Sequence, residues 1–477
     1  MDISIKEQKR RDSILNDSLW KVFLAILIPI AMYNFLIYLF GVFDLKIISM
    51  FPNDPKDSVA FFDEIKNAIS AFGTGFATGG AVIVANLYGK GDIREARRNA
   101  GVVLILTLII SAVIITVTVL GVIPILKALN FNRNIIAEGQ VYFYIQISTT
   151  ALNAINVVFI GLERAKKNTK TIIIMNISIA VIKVVLTLVF VFGFGLNSIE
   201  WIAMTTLLAQ LSLTVFVVFQ MFNKKNIFKI DLKDLSFNKK YVKDMIKISI
   251  PIVLGRFTFS FGKVIVNYFA TVYYGAASLA ALSITYKANL GFGAIASTTE
   301  EASATIISQN VGNKNPKRAF RTVWIAFIYT LILTVIGVVL ITLLADYAVK
   351  FFIAKPAVGA SAVIWDEYYM KIELAKNLLM TERFSMMFSA FVGVFLGGFF
   401  GFKITKLSYI ANAIRIFIFR IPILILLHHF SANPNYINIG KTMVLSNLFT
   451  AISVMVMFMI FYFKHKANNF AHYLEIV

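Results

Sequence analysis

The sequence predicts an all-α integral membrane protein, with twelve transmembrane helices in two parallel-repeat six-helix lobes around a central cavity. Three observations predict this fold: the composition, the number of long apolar runs and an internal repeat. Of the 477 residues, 58% are hydrophobic and 15% are charged, whereas in soluble domains about 45–50% of residues are apolar and about 25% are charged. The polar residues are too few to cover the surface of a water-soluble globule, and we therefore expect the protein to be surrounded by lipid.

Twelve apolar runs are long enough to cross a bilayer, which requires roughly 20 residues. They lie at 19–48, 65–88, 100–124, 141–161, 171–194, 200–222, 248–273, 279–309, 321–347, 378–402, 407–428 and 442–463. Prolines inside these runs are tolerated, because neighbouring helices satisfy the freed backbone groups. The first run is longer than the apolar core of a cleavable signal peptide, so we expect it to remain as an anchor.

Lysine and arginine concentrate in alternate connectors, and the densest group runs from Lys224 to Lys247. By the positive-inside rule we expect both termini in the cytoplasm and the chain in the plasma membrane. The net charge of +21 then reflects topology and not a nucleic-acid partner. The predicted parts are an N-terminal segment (1–18), an N-terminal lobe (19–222), a basic interlobe linker (223–247), a C-terminal lobe (248–466) and a tail (467–477).

The two halves of the chain repeat one another. Ile28-Pro29-Ile30 recurs as Ile250-Pro251-Ile252, and the segment from Gly89 to Arg98 recurs from Gly312 to Arg321, an offset of about 222–223 residues. Lys167-x-Thr169-Lys170 recurs as Lys403-x-Thr405-Lys406, at an offset of about 236, so an insertion near 350–375 is expected. Each unit contains six spans, an even number, so the halves have the same orientation in the membrane.

These motifs, in their order and spacing, resemble the multidrug and toxic compound extrusion (MATE) family over nearly the whole chain. The marks are Pro29 with Asp44 fifteen residues later, Tyr88-Gly89-Lys90-Gly91-Asp92, the segment from Ser308 to Pro316, and Arg420-Ile421-Pro422. The resemblance implies an exporter driven by H⁺ or Na⁺, and it implies that Asp44 belongs to a cation site. The family's Asn-x-x-x-Asp pattern in the fifth span is replaced here by Lys183 and Thr187.

Charged side chains inside the predicted spans are the main candidates for function, since each costs about 2.5–3.5 kcal/mol or more at a helix centre. We expect them to face a wet cavity or one another. They are Asp44, Lys183, Arg256, Lys263, Glu300, Glu301, Glu382, Arg383 and Arg415.

Helical spacing aligns polar residues on single faces of several spans. The seventh span carries Arg256, Ser260, Lys263 and Asn267, and the eighth carries Asn289, Gly293, Ser297 and Glu300. From these faces and the polar face of the fourth span we predict a cavity that binds substrate. Its predicted residues are Lys183, Arg256, Lys263, Ser260, Asn267, Asn153, Gln146, Tyr142 and Ser297.

The candidate coupling residues are Asp44, Glu300 and Glu301. If the first and fifth spans meet, the Lys183 ammonium reaches Asp44, takes the place of the coupling cation and keeps the carboxylate ionised. Coupling would then move to Glu300 or Glu301, since neighbouring carboxylates favour protonation of one another.

Structural alternatives exist for each charged site. One alternative is that Asp44 pairs with Lys46. Another is that Glu300 and Glu301 form a static packing cluster with Arg256 and Lys263. Glu382 and Arg383 are interpreted as a local pair, and Arg420 as a side chain that snorkels from a helix end.

The leading functional hypothesis is a secondary-active exporter that works by alternating access of the two lobes. Its expected substrates are amphipathic organic compounds, with cations favoured. The alternative is a flippase or exporter of a lipid-linked or anionic substrate, because Lys183, Arg256 and Lys263 make the cavity positive. A remote alternative is a membrane-embedded transferase that uses the acidic loop cluster Asp54, Asp57, Asp63 and Glu64. We expect a monomer that is not an enzyme, with no cofactor or metal, since the chain has no cysteine and no spaced histidine set.

Overall fold

The computed structural model describes residues 5–470 except 49, 52–55, 129–132, 232–237, 290, 354, 358 and 469, and every regular element in these ranges is helical. The helices are α1 Ile5–Asn16, α2 Leu19–Ile48, α3 Lys56–Lys90, α4 Ile93–Ala128, α5 Arg133–Ala165, α6 Thr169–Leu188, α7 Ile199–Phe222, α8 Lys239–Tyr274, α9 Ala276–Ala288, α10 Ala294–Gly312, α11 Pro316–Phe352, α12 Ala362–Gly401, α13 Lys406–Ala413, α14 Ile421–Phe430 and α15 Ile437–Ala467. The π-helical segment Val189–Gly193 extends α6, and a second one, Ile414–Arg420, joins α13 to α14.

Eleven helical segments within the described ranges are long and apolar enough to cross a membrane. The predicted eighth span accounts for the twelfth, but it is broken into α9 and α10. In the break Gly291 has a φ of 75°, and a Cβ there would lie 3.1 Å from the ring of Tyr38 on α2. The predicted fold class with twelve spans is therefore confirmed. The predicted continuous polar stripe on the eighth span is wrong, because Asn289 and Gly293 lie in the break.

The internal repeat has a backbone counterpart at two pairs of helix ends. Gly91 and Lys314 both have left-handed φ values, 86° and 55°, and so do Lys167 and Lys403, at 55° and 60°. The amide that follows each of these residues donates a hydrogen bond to the carbonyl five residues earlier, which is the Schellman pattern of helix termination. The repeat is thus confirmed at the offsets read from the sequence.

The two halves interlock through their first helices. α8 of the C-terminal lobe packs along α3, and α2 of the N-terminal lobe packs along α10 and α11. The buried face of α2 belongs to the same apolar core as Phe395, Phe399 and Phe458 of the C-terminal lobe. Its Phe23 stacks on Tyr329 of α11 at 5.4 Å between ring centroids.

One end of the bundle carries α1, the end of α15 and the connectors that follow α3, α5, α7, α10 and α12. We name this end the terminal face, and the other end the opposite face. The described part of the interlobe linker lies against the N-terminal lobe at the terminal face: Lys166 donates to Asn226 at 2.9 Å, and Arg97 donates to the Ile227 carbonyl at 2.6 Å. α8 begins at Lys239, inside the predicted linker.

Candidate functional site

The N-terminal lobe contains a buried ion pair between the first and fifth spans. Lys183 Nζ lies 2.9 Å from Asp44 Oδ1, and the two side chains are 1% and 17% exposed. The ammonium also donates to Thr205 Oγ1 at 2.8 Å and to the Ile202 carbonyl at 3.2 Å. The predicted contact between Asp44 and Lys183 is confirmed, and the coupling role of Asp44 stays a prediction.

A second polar network lies one helix away, inside α3 and α5. Lys66 pairs with Asp63 at 2.6 Å, Tyr142 donates to Asp63 at 3.0 Å, and Gln146 donates to Tyr142 at 3.2 Å. Tyr142 and Gln146 are buried within the lobe, where Tyr142 bonds to α3 and Gln146 bonds to Tyr142 of its own helix; their role in a substrate cavity stays a prediction.

The acidic residues assigned to an outer loop are placed differently. Asp63 and Glu64 lie within α3, and the side chains of Asp54 and Asp57 lie outside the described residues. Asp63 and Glu64 are therefore helical, and the acidic loop cluster assumed by the transferase hypothesis is wrong at these two residues. Asn153, by contrast, is half-buried and accepts a hydrogen bond from Tyr33 of α2 at 3.1 Å.

Glu300 and Glu301 of α10 pair with different arginines on different helices. Glu300 Oε1 lies 2.6 Å from Arg256 of α8, which also donates to the Thr74 carbonyl of α3 at 3.3 Å. Glu301 pairs with Arg164 at the end of α5, so this ion pair joins the two lobes directly. The adjacent carboxylates therefore do not form an isolated acidic pair, and each is held by its own cation.

Near the terminal face, glycines let the helix backbones of the two lobes touch. A Cβ on Gly89 of α3 would lie 2.2 Å from the Gln309 carbonyl of α10, and a Cβ on Gly312 would lie 2.0 Å from the Asn86 carbonyl of α3. Asn86 also donates to the Ser308 carbonyl at 3.0 Å and accepts from Lys403 at 2.7 Å. The repeated glycine motif thus forms a close backbone crossing between the lobes.

α1 lies across this crossing and contacts both lobes. Arg11 donates to the Gly89 carbonyl at 2.9 Å, and Arg318 of the C-terminal lobe donates to the Ile14 carbonyl at 3.1 Å. Lys167 donates to Ser13 at 2.6 Å. Burial lowers the pKa of this lysine, and Asp17 opposes the shift.

Replacing Gly312 with alanine is expected to loosen the crossing, because its Cβ has no space beside the Asn86 backbone. Overpacking costs about 1–3 kcal/mol, which corresponds to a factor of roughly 5–30 or more in a two-state equilibrium. Maleimide labelling of Ser249→Cys measures the effect. Ser249 is fully buried against Gly79 of the other lobe, its hydroxyl has no hydrogen-bond partner, and the chain has no native cysteine.

The matched control is Gly41→Ala, because no atom of the described residues lies within 4 Å of a Cβ at that position. Labelling of Ser249→Cys should rise at least fivefold in Gly312→Ala and remain at the wild-type rate in Gly41→Ala. Equal rates in the two variants would show that this crossing does not hold the terminal face closed.

Towards the opposite face the lobes face each other through half-buried polar side chains. Lys263 of α8 is within electrostatic range of Glu64 of α3, yet the two form no ion pair. Ser260, Asn267 and Ser297 are also half-buried on these facing helices. The Asn34 amide of α2 donates hydrogen bonds to Thr298 Oγ1 at 2.9 Å and to Ser297 Oγ at 3.4 Å. Of the predicted residues of the seventh and eighth spans, Ser297 and Lys263 therefore interact with the N-terminal lobe, and the cavity role of Ser260 and Asn267 stays a prediction.

A cationic cluster in the C-terminal lobe was missed as a unit by sequence reasoning. Arg415 Nε and Arg420 Nη2 both donate to Asn447 Oδ1, at 2.8 and 2.7 Å. Arg420 is 2% exposed, so the snorkelling interpretation is wrong. Glu382 is buried and forms no ion pair with Arg383, whose guanidinium lies over Phe384, so the local-pair interpretation is also wrong.

The sequence feature that could have revealed this cluster is the pair Arg415 and Arg420, which lie five residues apart in an apolar span. An α-helix would place residues five apart on different faces. The π-helical turns from Ile414 to Arg420 change this spacing, and sequence periodicity does not reveal such turns. Among the described residues, no group of three or more His, Asp or Glu side chains is placed to hold a metal ion.

Twelve spans in two repeated lobes, with charged groups buried between them, define a multi-pass membrane protein of the transporter class. The chain belongs to the MatE family, whose model matches residues 29–189 and 251–426. It is a MATE family transporter.

Individual relatives agree with this assignment. The chain is 21% identical over 350 residues to the uncharacterized transporter YisQ of Bacillus subtilis (strain 168), covering 72% of this chain and 75% of the relative. It resembles the outward-facing structure of a multidrug resistance MATE family transporter of the MOP superfamily with a TM-score of 0.83, at 18% identity over 96% and 98% of the two chains. A MOP superfamily transporter from Pyrococcus furiosus gives a TM-score of 0.85, at 17% identity over 93% and 96%.

Proposed function

We propose that the protein is a secondary-active, cation-coupled exporter of amphipathic organic compounds that works by alternating access. One observation carries the proposal: the lobes touch at backbone level near the terminal face, at Gly89 and Gly312, whereas Glu64 and Lys263, which belong to different lobes and are within electrostatic range of each other, form no ion pair. Such an arrangement has one side closed and a polar region between the lobes. With the termini in the cytoplasm, the closed side is the cytoplasmic one.

The ion pairs of α10 are the best candidates for coupling. In lipid a carboxylate is stabilised mainly by its partner cation, so proton or Na⁺ binding at Glu300 or Glu301 competes with Arg256 or Arg164. Because Arg164 belongs to the other lobe, neutralising Glu301 weakens an interlobe contact. Ion binding and lobe separation are thereby linked through one residue.

Asp44 is a weaker candidate in this chain. Its carboxylate already has the Lys183 ammonium at 2.9 Å, which occupies the position a small coupling cation would take. We therefore propose that the N-terminal lobe holds a fixed charge pair and that coupling occurs at α10.

Reconstitution into liposomes tests the proposal, with proton and Na⁺ gradients imposed separately and a cationic dye and a fluorescent lipid followed as cargo. One gradient should drive transport in the wild type. Glu300→Gln and Glu301→Gln should each abolish the gradient dependence, and the double variant Asp44→Asn/Lys183→Met should retain it. Glu367→Gln is the matched control, since Glu367 is 54% exposed and its ion-pair partner among the described residues is Lys371, one turn away. If the double variant alone loses coupling, the assignment to α10 is wrong.

A flippase or exporter of anionic or lipid-linked compounds is the second candidate, favoured by the cluster of Lys263, Arg415 and Arg420. The Arg256 and Lys183 charges do not favour it, because each is paired with a carboxylate. The similar Pyrococcus furiosus structure is described as having a binding pocket of reverse polarity that suggests a different function. In the same liposomes, transport of the fluorescent lipid without transport of the dye would support this candidate.

A further inference from the structure

Three cations surround a single aromatic ring in the C-terminal lobe. The Arg415 guanidinium carbon lies 4.2 Å from the centroid of the Phe259 ring, Lys263 Nζ lies 5.2 Å from it, and the Arg420 guanidinium carbon lies 5.6 Å from it. Lys263 also lies 5.7 Å from the Tyr286 ring. An aromatic face attracts cations only weakly, so one ring does not neutralise three of them.

Carboxylates do not neutralise this cluster either. Glu382 interacts with Arg420 and Lys263 through space, but its Oε1 has no hydrogen-bond partner and it forms no ion pair within the described part of the chain. Glu64 of the other lobe is within electrostatic range of Lys263, again without an ion pair among the described residues. Two carboxylates that form no ion pair therefore accompany three cations, and the cluster keeps an excess of positive charge.

The two arginines are held in place by neutral groups. Both bind Asn447 Oδ1, and Arg415 also donates to Ser389 at 2.8 Å while Arg420 donates to Ser446 at 3.2 Å. Two guanidinium groups that share one amide oxygen repel each other. Neutral acceptors orient them but leave their charge available to a ligand, which is the arrangement that anion-binding sites use.

The cluster has an accessible side and a buried side. Lys263, Phe259 and Tyr286 are half-buried, and Lys263 is within electrostatic range of Glu64 of the other lobe, whereas Arg415 and Arg420 are almost fully buried. The Lys263 ammonium has no hydrogen-bond acceptor among the described residues and contacts only the two rings. A lysine in this position has its N–H donors available for a bound anion.

We propose that this cluster is a binding site for an amphipathic organic anion. The proposal rests on the transport function proposed above and, within it, on the second candidate, the exporter of anionic compounds. The anionic group (carboxylate, sulfonate or phosphate) binds Lys263, and the apolar body packs on Phe259 and Tyr286. Arg415 and Arg420 add positive charge from the buried side, and Asn447 holds both arginines in place.

Binding in lipid nanodiscs tests the site without requiring transport. The probes are a pair of dansyl compounds with the same apolar body, one ending in a carboxylate and one in a quaternary ammonium, in nanodiscs of phosphatidylcholine. Wild type should bind the carboxylate at least tenfold more tightly than the ammonium compound. Lys263→Gln should lose that preference, and Lys263→Arg should retain it.

Lys371→Gln is the matched control, because Lys371 is 45% exposed and lies on α12 away from the cluster. Lys263 makes no protein hydrogen bond among the described residues, so its variants should fold, and a thermal unfolding curve for each checks this. Tighter binding of the ammonium compound by wild type, or unchanged carboxylate binding in folded Lys263→Gln, would overturn the proposal.

A second arm identifies the source of the anion. Phosphatidylglycerol is added to the nanodiscs, and displacement of the dansyl carboxylate from wild type but not from Lys263→Gln identifies a lipid headgroup as the occupant. Absence of displacement identifies a soluble amphipathic anion, and both outcomes support an anion site. Because these measurements involve no gradient, normal anion binding in a protein that fails to transport would contradict the proposed function and leave the site intact.

Discussion

Replacing Asp44 with asparagine is expected to destabilise the protein by about 3–5 kcal/mol. The change leaves the Lys183 ammonium, which is 1% exposed, buried without an anion. Thr205 and the Ile202 carbonyl remain as acceptors, but neutral dipoles do not replace a carboxylate in a lipid-surrounded interior. We expect a clear fall in the midpoint of thermal unfolding in detergent and a reduced yield of folded protein.

The double variant Asp44→Asn/Lys183→Met should recover most of this loss, since it removes both charges and keeps an apolar side chain of similar length. A buried ion pair is often replaceable by neutral groups, although removal of one partner is costly. The comparison separates two explanations of the effect. If the double variant is as unstable as Asp44→Asn alone, the carboxylate stabilises the lobe through contacts other than Lys183.

The second large effect is expected at the interlobe ion pair. Arg164→Gln leaves Glu301 without its partner, and truncating one member of a buried charge pair costs about 2–5 kcal/mol. The loss applies only to the conformation in which the terminal face is closed, because Arg164 and Glu301 belong to different lobes. Labelling of Ser249→Cys should therefore increase roughly 30-fold or more, since every 1.4 kcal/mol is a factor of ten.

Arg383→Gln provides the comparison for this measurement, because its guanidinium contacts Thr342 and Phe384 within one lobe. Its labelling rate should match that of the wild type. Glu301→Gln should resemble Arg164→Gln, because either change breaks the same contact. Unchanged labelling in both would mean that the glycine crossing and α1 close the terminal face without the ion pair.

These experiments bear on one physical question, which is how a transporter uses charge that lipid cannot solvate. The structure contains two kinds of charge at membrane depth. Asp44, Glu300 and Glu301 are each paired with a cation. Lys263, Arg415 and Arg420 gather around Phe259 and form no ion pair with any residue in the described ranges. Paired charges are suited to holding a conformation or exchanging for an ion, and unpaired charges are suited to a ligand of opposite sign.

The sequence by itself determined the fold class, the number of spans and the repeat. Long apolar runs need no tertiary information to be recognised, since their length reflects the thickness of the bilayer. The repeat was equally visible, because the matching sequence motifs encode helix ends of the same local backbone conformation. These ends lie at Gly91 and Lys314 and at Lys167 and Lys403. Sequence also named the charged residues inside the spans, since their cost in lipid is a property of single side chains.

The tertiary structure decided which of these charges meet. Arg164 was not a candidate from sequence because it lies at a helix end, yet packing of α5 near α10 makes it the partner of Glu301. Helical periodicity failed at the break before α10 and at the π-helical turns around Arg415, because both change the angle between successive side chains. Pairing depends on distances between helices that are far apart along the chain, and no local pattern of residues encodes those distances.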